Sequence, residues 1–320
     1  MSSQTVLKIR DLVKYHDSPR GRVHAVDHVD LELRAGETLG LVGESGCGKS
    51  TLGRTIIRLH EPTSGEILYK DRDIATLSKV ELKEVRRDLQ IVFQDPFASL
   101  NPRRTIRQIL SEPFSIHHVG TKSERDQLVS DLIARVGLHP SFGERYPHEL
   151  SGGQRQRIAI ARAIALDPST VVCDEPVSAL DVSVQAQIIN LLRKLQDEMG
   201  TSYLFISHDL SVIGYLADRI AVMYLGEIVE IAPKATLWNE PLHPYTQALF
   251  SAIAIPEPPS VVRKKLVKIT GDIPSPINPP SGCRFRTRCP FSMKKCAEIK
   301  PILTEAGNGS KVACHLISDV

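Results

Sequence analysis

One segment near the N-terminus constrains the fold of this chain more than any other: GESGCGKST, at Gly43 to Thr51. It follows the apolar run Thr38 to Val42, which predicts a buried strand, and a helix is predicted to begin near Lys49. Gly46 and Gly48 let the backbone turn successive N–H groups inward around phosphate oxygens. A strand, a glycine-rich loop and a helix in this order predict a phosphate-binding loop in an α/β fold.

The same segment predicts how a nucleoside triphosphate is held. The Lys49 ammonium reaches the β- and γ-phosphates, the Ser50 hydroxyl ligates Mg²⁺, and the helix adds the positive end of its dipole. The alternative is a glycine-rich turn that matches by chance, and the strand before it and the helix after it argue against that alternative. The remaining positions predicted to contact ATP are Gly43, Ser45, Gly46, Cys47, Gly48 and Thr51.

Two carboxylates follow a second apolar run, Thr170 to Cys173. Asp174 is predicted to hold Mg²⁺ through water, and Glu175 to face the γ-phosphate as the general base that polarises the attacking water. An Asp-Glu pair after a strand is equally often the start of a helix. Taken alone, this pair decides little.

The segment LSGGQ, at Leu150 to Gln154, opens a helix with strong apolar periodicity. Its serine hydroxyl and glycine amides therefore lie at a helix N-terminus, which suits a second contact with phosphate. One nucleotide does not need two such cradles from one chain, so the pattern favours a site shared by two copies of the domain. The residues predicted to make this contact are Ser151, Gly152, Gly153 and Gln154.

Together these motifs resemble the ATP-binding cassette (ABC) family, in which LSGGQ of one subunit closes over the nucleotide on the phosphate loop of the other. The resemblance covers residues 5 to about 235. It implies that Gln94 and His208 act beside Glu175 in catalysis, and that Gln94 joins Ser50 and Asp174 around Mg²⁺. Three further positions match family elements: Tyr15 as the aromatic residue on adenine, and Ser178 and Asp181 in the D-loop.

The resemblance also implies an architecture. The alternation of Val29, Leu31 and Leu33 predicts an antiparallel edge sheet beside a mixed core sheet, with a helix to about Leu59 after the phosphate loop. Residues 96–165 interrupt the strand–helix alternation and match the helical subdomain that docks on the membrane partner. We therefore expect an ABC nucleotide-binding domain over residues 1–235.

Residues 236–320 differ in composition from the rest of the chain and are rich in proline. This composition predicts an irregular extension rather than another sheet layer, with Trp238 and Tyr245 as packing residues. The segments HPYT at residues 243–246, NPPSGC at 278–283 and RCP at 288–290 resemble the C-terminal region of the oligopeptide, dipeptide and nickel transporter ATPases.

Four cysteines lie in this extension: Cys283, Cys289, Cys296 and Cys314. In a cytosolic chain they are not expected to form structural disulfides. The spacing C-x5-C-x6-C-x17-C lacks the C-x2-C knuckle usual for zinc and is compatible with four-cysteine ligation of a cluster. The resemblance implies the same, since some members carry a [4Fe–4S] cluster here. Zinc and unligated thiols are the alternatives.

Charge and hydropathy narrow the partners and the location. The formal net charge of +3 comes from 40 basic and 37 acidic residues, so nothing in the charge points to nucleic acid. No apolar run reaches the roughly 18 residues that cross a bilayer, and Met1 to Lys8 lack the apolar stretch of a signal peptide. We expect a peripheral protein at the cytoplasmic face of the membrane.

The resemblance implies an ATP-hydrolysing subunit of an importer of the peptide and nickel class. Its implied partners are a second ABC ATPase subunit, two transmembrane permeases and an extracytoplasmic substrate-binding protein. A paralogue is favoured as the second subunit, and intact motifs also permit a homodimer. Dipeptides, longer peptides, metal chelates, glutathione and sugars all remain open as substrates. The alternative functions are a non-transport ABC ATPase and a redox-sensing regulatory subunit.

Overall fold

The computed structural model describes residues 4–251, 269 and 271–318, so part of the 236–320 extension lies outside the described residues. The chain divides into two compact units. The first takes its described residues from Met1–Val6, Leu33–Glu37 and Thr76–Ile206, and the second takes them from Leu7–Glu32, Thr38–Ala75 and Ser207–Val320.

The elements follow one another in this order. The strands are β1 (Thr5–Ser18), β2 (Gly21–Arg34), β3 (Thr38–Val42), β4 (Ser64–Tyr69), β5 (Arg72–Asp73), β6 (Leu89–Val92), β7 (Thr170–Asp174), β8 (Ser202–Ile206), β9 (Arg219–Tyr224), β10 (Glu227–Pro233), β11 (Thr304–Glu305) and β12 (Lys311–Val312). The α-helices are α1 (Lys49–Ile56), α2 (Lys79–Asp88), α3 (Pro96–Ser99), α4 (Ile106–Ile116), α5 (Lys122–Arg135), α6 (Gly152–Ile164), α7 (Val182–Met199), α8 (Leu210–Leu216), α9 (Lys234–Asn239), α10 (Pro244–Ser251), α11 (Lys295–Glu298) and α12 (His315–Ser318).

The first unit is built on parallel strands. β6 pairs with β7, which pairs with β8, and every residue of β7 and β8 is buried. A strand buried on both faces reads as a continuous apolar run, which is why the sequence predicted β7. The helices α3 to α6 fall within residues 96–165, where the helical subdomain was expected. Thr105, Thr121 and Ser151 each form a capping box at the start of a helix.

In the second unit, β3 runs parallel to β9, and β9 and β10 form an antiparallel hairpin. An antiparallel sheet with the order β2-β1-β4-β5 matches the expected edge sheet. The helix after the phosphate loop ends at Ile56, earlier than the predicted Leu59. The backbone of Arg58 has a φ of 55°, which leaves the right-handed helical region and stops the helix.

Residues 271–290 of the extension contain turns and bends without a helix or strand, and a later segment contributes to a sheet. β11 and β12 pair with each other, and β12 pairs antiparallel with β10 through Val312 opposite Glu230. These two short strands lengthen the edge of the β9–β10 hairpin rather than form another sheet layer. An edge strand offers unpaired backbone groups, and the fully buried Val312 anchors the added strand there.

None of the helices within the described ranges is both long and apolar enough to cross a membrane.

Candidate nucleotide site

The phosphate loop lies in the second unit, between β3 and α1. Gly46 and Gly48 have φ values of 78° and 110°, so both adopt the backbone conformation predicted for them. At Gly48 a Cβ atom would lie 1.9 Å from the carbonyl oxygen of Ala25. No side chain fits in that space, and the glycine is therefore required by both conformation and packing.

Lys49 is held inside this loop. Its Nζ donates hydrogen bonds to the carbonyl oxygens of Gly43 at 2.8 Å and Glu44 at 2.9 Å, and the residue is only 4% exposed. Ser50 lies in the first turn of α1, at the positive end of the helix dipole, while Ser45 and Gly46 are exposed. The loop and the first turn of α1 thus carry backbone amides, one ammonium and one hydroxyl, which are the kinds of donor that bind phosphate.

Cys47 is the buried member of the loop. Burial raises the pKa of its thiol, so the side chain stays protonated and packs as a small apolar group. Its carbonyl oxygen accepts a hydrogen bond from the amide of Gly226, in the turn of the β9–β10 hairpin, at 2.8 Å. The hairpin turn therefore supports the back of the loop.

Two contacts from the extension also hold the loop, and the sequence alone did not indicate them. Tyr245 is buried, as predicted for a packing residue, but its hydroxyl also accepts a hydrogen bond from the Glu44 amide at 2.9 Å. The guanidinium of Arg288 donates to both carboxylate oxygens of Glu44, at 2.8 and 3.1 Å. Tyr245 lies in the HPYT segment and Arg288 in the RCP segment, but neither segment indicates that its residue contacts Glu44.

Tyr15 lies half-buried on β1. Its hydroxyl donates to the carboxylate of Asp27, and burial together with this hydrogen bond raises the pKa of the phenol to about 12. Its ring lies 4.3 Å from that of His24, centroid to centroid. His208 is exposed just ahead of α8, where Asp209 caps the helix. Tyr15 is therefore partly accessible to a ligand, and His208 is more accessible.

The catalytic carboxylates lie in the first unit, at the end of β7. Asp174 is fully buried, and Glu175 is half-buried with a φ of 47°. A non-glycine residue in the left-handed region is strained, and such strain is typical of active sites. The Gln94 side-chain amide donates to Oε2 of Glu175 at 3.1 Å. The structure thus brings together two of the three residues predicted to act in catalysis.

The LSGGQ segment begins α6. The Ser151 hydroxyl accepts from the Gln154 amide at 3.3 Å, and the Gln154 side-chain oxygen accepts from the Ser151 amide at 3.0 Å. Ser151 and Gly152 are exposed. A Cβ at Gly153 would lie 2.5 Å from Cγ1 of Val184, so this glycine permits close packing against α7.

The D-loop residues connect the carboxylates to α7. The Ser178 hydroxyl donates to the carbonyl oxygen of Glu175 at 3.1 Å. Asp181 is exposed and caps α7 by accepting from the Val184 amide at 2.9 Å. Both residues therefore stabilise local backbone, and Asp181 also presents a carboxylate to solvent.

The four cysteines of the extension lie within electrostatic range of one another. Burial, and then the neighbouring thiols, raise the pKa of Cys283 to about 12, and burial raises the pKa of Cys289 and Cys314. The Cys283 amide donates to the Cys296 carbonyl oxygen at 2.8 Å. Across residues 4–251 and 271–318, no three His, Cys, Asp or Glu side chains converge on a position for a single metal ion.

Comparison with known proteins gives two family matches. Residues 26–178 match the family described as ABC transporter, and residues 229–296 match the one described as oligopeptide/dipeptide transporter, C-terminal region. A Bacillus subtilis protein named oligopeptide transport ATP-binding protein AppF is 54% identical, over 99% of this chain and 99% of its own. A putative peptide import ATP-binding protein of Brucella ovis is 50% identical, over 98% of each chain.

Solved structures agree with these matches. The dimeric ATP-binding cassette MJ0796 in a post-hydrolysis state, bound to ADP and Pi, has a TM-score of 0.66 at 31% identity, over 71% of this chain and 98% of its own. The cbiO1 protein of Clostridium perfringens has a TM-score of 0.65 at 27% identity, over 74% of this chain and 92% of its own. The full-length similarity and both family matches show that this chain is an ABC-type ATPase and belongs to the ATP-binding proteins of oligopeptide and dipeptide transporters.

Proposed function

We propose that this chain powers the import of peptides or related small solutes through a membrane ABC transporter. The observation that carries the proposal is the full-length similarity to an oligopeptide transport ATP-binding protein, in a chain that retains every ATP-site motif. The relatives named above are transport proteins, and they give the alternatives of a non-transport ATPase or a redox-sensing subunit no support.

In this proposal each residue of the ATP site has its own part in hydrolysis. Lys49 and the loop amides bind the β- and γ-phosphates, and Tyr15 stacks on adenine. Glu175 takes a proton from the attacking water, which Gln94 helps to place through its contact with that carboxylate. His208 and Lys49 then stabilise the charge that develops on the γ-phosphate.

Mg²⁺ fits the oxygen ligands that the chain offers. The buried Asp174 carboxylate and the Ser50 hydroxyl at the start of α1 are hard oxygen donors, and Gln94 supplies an amide oxygen. When bound, the ion neutralises charge between the β- and γ-phosphates.

A second cassette completes the site. Ser151 and Gly152 are exposed at a helix N-terminus, and in this proposal they close with Gly153 and Gln154 over the ATP bound to the partner's phosphate loop. Ser178 and Asp181 line the same interface. A paralogous ATPase subunit is the favoured partner.

The rest of the assembly follows from the same proposal. The nucleotide-binding domain spans residues 1–235, its helical subdomain at about 96–165 contacts two permeases, and residues 236–320 form the extension. A substrate-binding protein delivers the solute, and the chain acts peripherally at the cytoplasmic face of the membrane. Nucleic acid has no role.

The four cysteines of the extension are proposed to hold a [4Fe–4S] cluster, with Zn²⁺ as the alternative. The spacing of the four cysteines supports this choice, because it lacks the C-x2-C knuckle usual for zinc and is compatible with a cluster in which each thiolate binds a separate iron. Because the thiol pKa values are raised, ligation must displace protons. The cluster would stabilise an extension in which residues 271–290 contain no helix or strand.

Colour and metal analysis test the cluster. Protein prepared without oxygen should absorb broadly near roughly 400 nm and contain about four irons and four sulfides per chain, and Cys289→Ser should abolish both signals. Equimolar zinc without acid-labile sulfide would support the zinc alternative. Four cysteines that alkylate readily in the native anaerobic protein would contradict both.

Reconstitution tests the transport function. The chain is combined with two permeases, a second cassette and a binding protein of the same transporter class in proteoliposomes, and uptake of labelled peptides is measured. We expect uptake that requires ATP and is lost with Lys49→Ala, but not with the surface control Lys79→Ala. ATP hydrolysis without uptake of peptides, metal chelates, glutathione or sugars would exclude the importer.

A further inference from the structure

We propose that the C-terminal extension supplies two positioning arginines to the nucleotide site. Arg288 positions the phosphate loop through Glu44, and Arg284 positions the adenine-binding Tyr15 through Asp27. All five residues belong to the second unit. This inference rests on the proposed function, because it takes Tyr15 and the phosphate loop as the ATP-binding elements.

The Arg288 contact is bidentate. Both terminal nitrogens of its guanidinium donate to the Glu44 carboxylate, at 2.8 and 3.1 Å, and Arg288 is only 9% exposed. The contact with Glu44, and then the hydrogen bond to Tyr224, raise the pKa of Arg288. A charged pair with this fork geometry holds a side chain in one place.

Glu44 is itself part of the loop. It follows Gly43, and its carbonyl oxygen accepts from Nζ of Lys49 at 2.9 Å. Tyr245 of the extension accepts from its amide. The extension therefore holds both the side chain and the backbone of Glu44. Glu44 in turn is hydrogen-bonded to Lys49, the lysine assigned to phosphate binding.

Aromatic packing supports these contacts. The rings of Tyr224, Tyr245 and Phe285 lie 4.7 to 5.4 Å apart, and all three residues are buried. Phe285 lies next to Arg284 in the chain and three residues before Arg288. The cluster thus fixes the extension segment that carries both arginines.

The Arg284 contacts lead to the other end of the nucleotide. Its guanidinium donates to the Asp27 carboxylate and to the Leu225 carbonyl oxygen, and its Nε lies 2.9 Å from a carboxylate oxygen of Glu227. Asp27 in turn accepts from the Tyr15 hydroxyl. Although burial opposes ionisation, this hydrogen bond and Arg284 keep the pKa of Asp27 below its usual value, so it remains a charged acceptor for Tyr15.

The two arginines therefore have separable effects on ligands. Arg288 acts on the part of the site that binds phosphates, so its loss should weaken ATP and inorganic tripolyphosphate alike. Arg284 acts on the residue that contacts the base, so its loss should weaken ATP and leave tripolyphosphate nearly unchanged. A general loss of structure would weaken both ligands in both variants.

Binding of ATP and tripolyphosphate is measured by calorimetry on full-length protein, beside kcat and KM. We expect Arg288→Met to raise both Kd values about tenfold, as for a lost charged hydrogen bond, with kcat at saturating ATP nearly unchanged. Arg288→Lys should restore part of the affinity, since lysine keeps the charge without the fork. Arg286→Met is the matched control, because the guanidinium of Arg286 contacts Ser281 of its own segment.

A double-mutant cycle tests whether Arg288 acts through Glu44. If it does, Arg288→Met with Glu44→Gln should cost less than the two changes summed. Additive losses, or unchanged Kd values in Arg288→Met, would overturn this half of the proposal. Wild-type protein that bound neither ligand would instead contradict the proposed function itself.

Arg284→Met should raise the Kd for ATP several-fold more than the Kd for tripolyphosphate. If that variant does not fold because Asp27 is left charged and buried, Arg284→Met with Asp27→Asn removes both charges and should show the same ligand preference. Equal losses for the two ligands, or no loss for either, would overturn the assignment of Arg284 to Tyr15.

Discussion

The phosphate loop and the LSGGQ segment both present a helix N-terminus suited to phosphate, but the chain treats them differently. The phosphate loop is held by several contacts within the chain, and its lysine is only 4% exposed. The β9–β10 hairpin turn and Tyr245 contact its backbone, and Arg288 contacts the side chain of Glu44. Ser151 and Gly152 are exposed, and the Ser151 hydroxyl only caps its own helix. The proposed function gives this contrast a reason: the phosphate loop binds ATP within its own chain, and LSGGQ contacts the ATP bound to a second cassette.

The difference has an energetic consequence. A supported loop is preorganised, so little ordering entropy is lost when nucleotide binds. An exposed capping serine must exchange the hydrogen bond of its own helix for one with phosphate, so its contribution depends on the closed dimer. Changes around the loop should therefore act on binding and stability within one chain, and changes at LSGGQ should act across the dimer.

The largest expected effect concerns catalysis in the first unit. Glu175→Gln should leave ATP binding nearly intact and reduce turnover by roughly 10²-fold or more, because the general base is lost while its shape is kept. Binding and turnover are measured on one preparation, with Glu84→Gln on the surface of α2 as the control. Near-normal hydrolysis would remove Glu175 from the catalytic role.

The next effect tests how tightly the loop is packed. Gly48→Ala should cost about 3 kcal/mol of stability, because its Cβ meets the Ala25 carbonyl oxygen at a strained φ. Gly46→Ala, where nothing lies within 4 Å of the added atom, should cost about 1 kcal/mol for the backbone conformation alone. Unfolding without nucleotide is followed in both variants, and equal losses would show that packing does not hold the loop.

The third effect is a pH dependence in the part of the second unit that supports the loop. Burial lowers the pKa of His243 to about 3, and its Nδ1 accepts from the Tyr245 amide. Below its ordinary pKa the unfolded chain binds a proton that the folded chain does not, so stability should fall by about 2 kcal/mol from pH 7 to pH 5.

His243→Asn isolates this contribution, because asparagine keeps an acceptor near the Nδ1 position but does not titrate. Burial raises the pKa of Glu230, which favours the folded state in acid and has the opposite sign, but Glu230 is present in both proteins. The fall in stability from pH 7 to pH 5 should be smaller in the variant. Equal pH slopes in the two proteins would show that His243 does not control acid stability.

The smallest expected effect is on nucleotide binding by the partner of the substituted subunit. In a mixed dimer with one Ser151→Arg subunit, the nucleotide on the other subunit's loop should bind about tenfold more weakly. This is the effect expected when a hydrogen bond to a charged group is lost. Occupancy is assigned site by site, with Ser123→Arg on α5 as the control. A defect confined to the site that holds the variant's own Lys49 would refute the shared site and remove the contrast between the two cradles.

Local sequence determined much of this protein. The buried strands β3 and β7 follow from continuous apolar runs. The conformations of Gly46 and Gly48 follow from a loop whose positive φ values glycine adopts most readily. These features depend on residues close together in the chain, so periodicity and spacing were enough to predict them.

Only the tertiary structure decided what supports the loop. Arg288 lies 244 residues from Glu44, and Arg284 lies 257 residues from Asp27. Arg288 lies in the RCP segment, but neither arginine has a sequence feature that identifies its partner. An ion pair depends on where two distant segments meet, and a single sequence carries no signal of that meeting. For the same reason the sequence did not predict that the short strand β12 pairs with the edge of β10, where unpaired backbone groups are available.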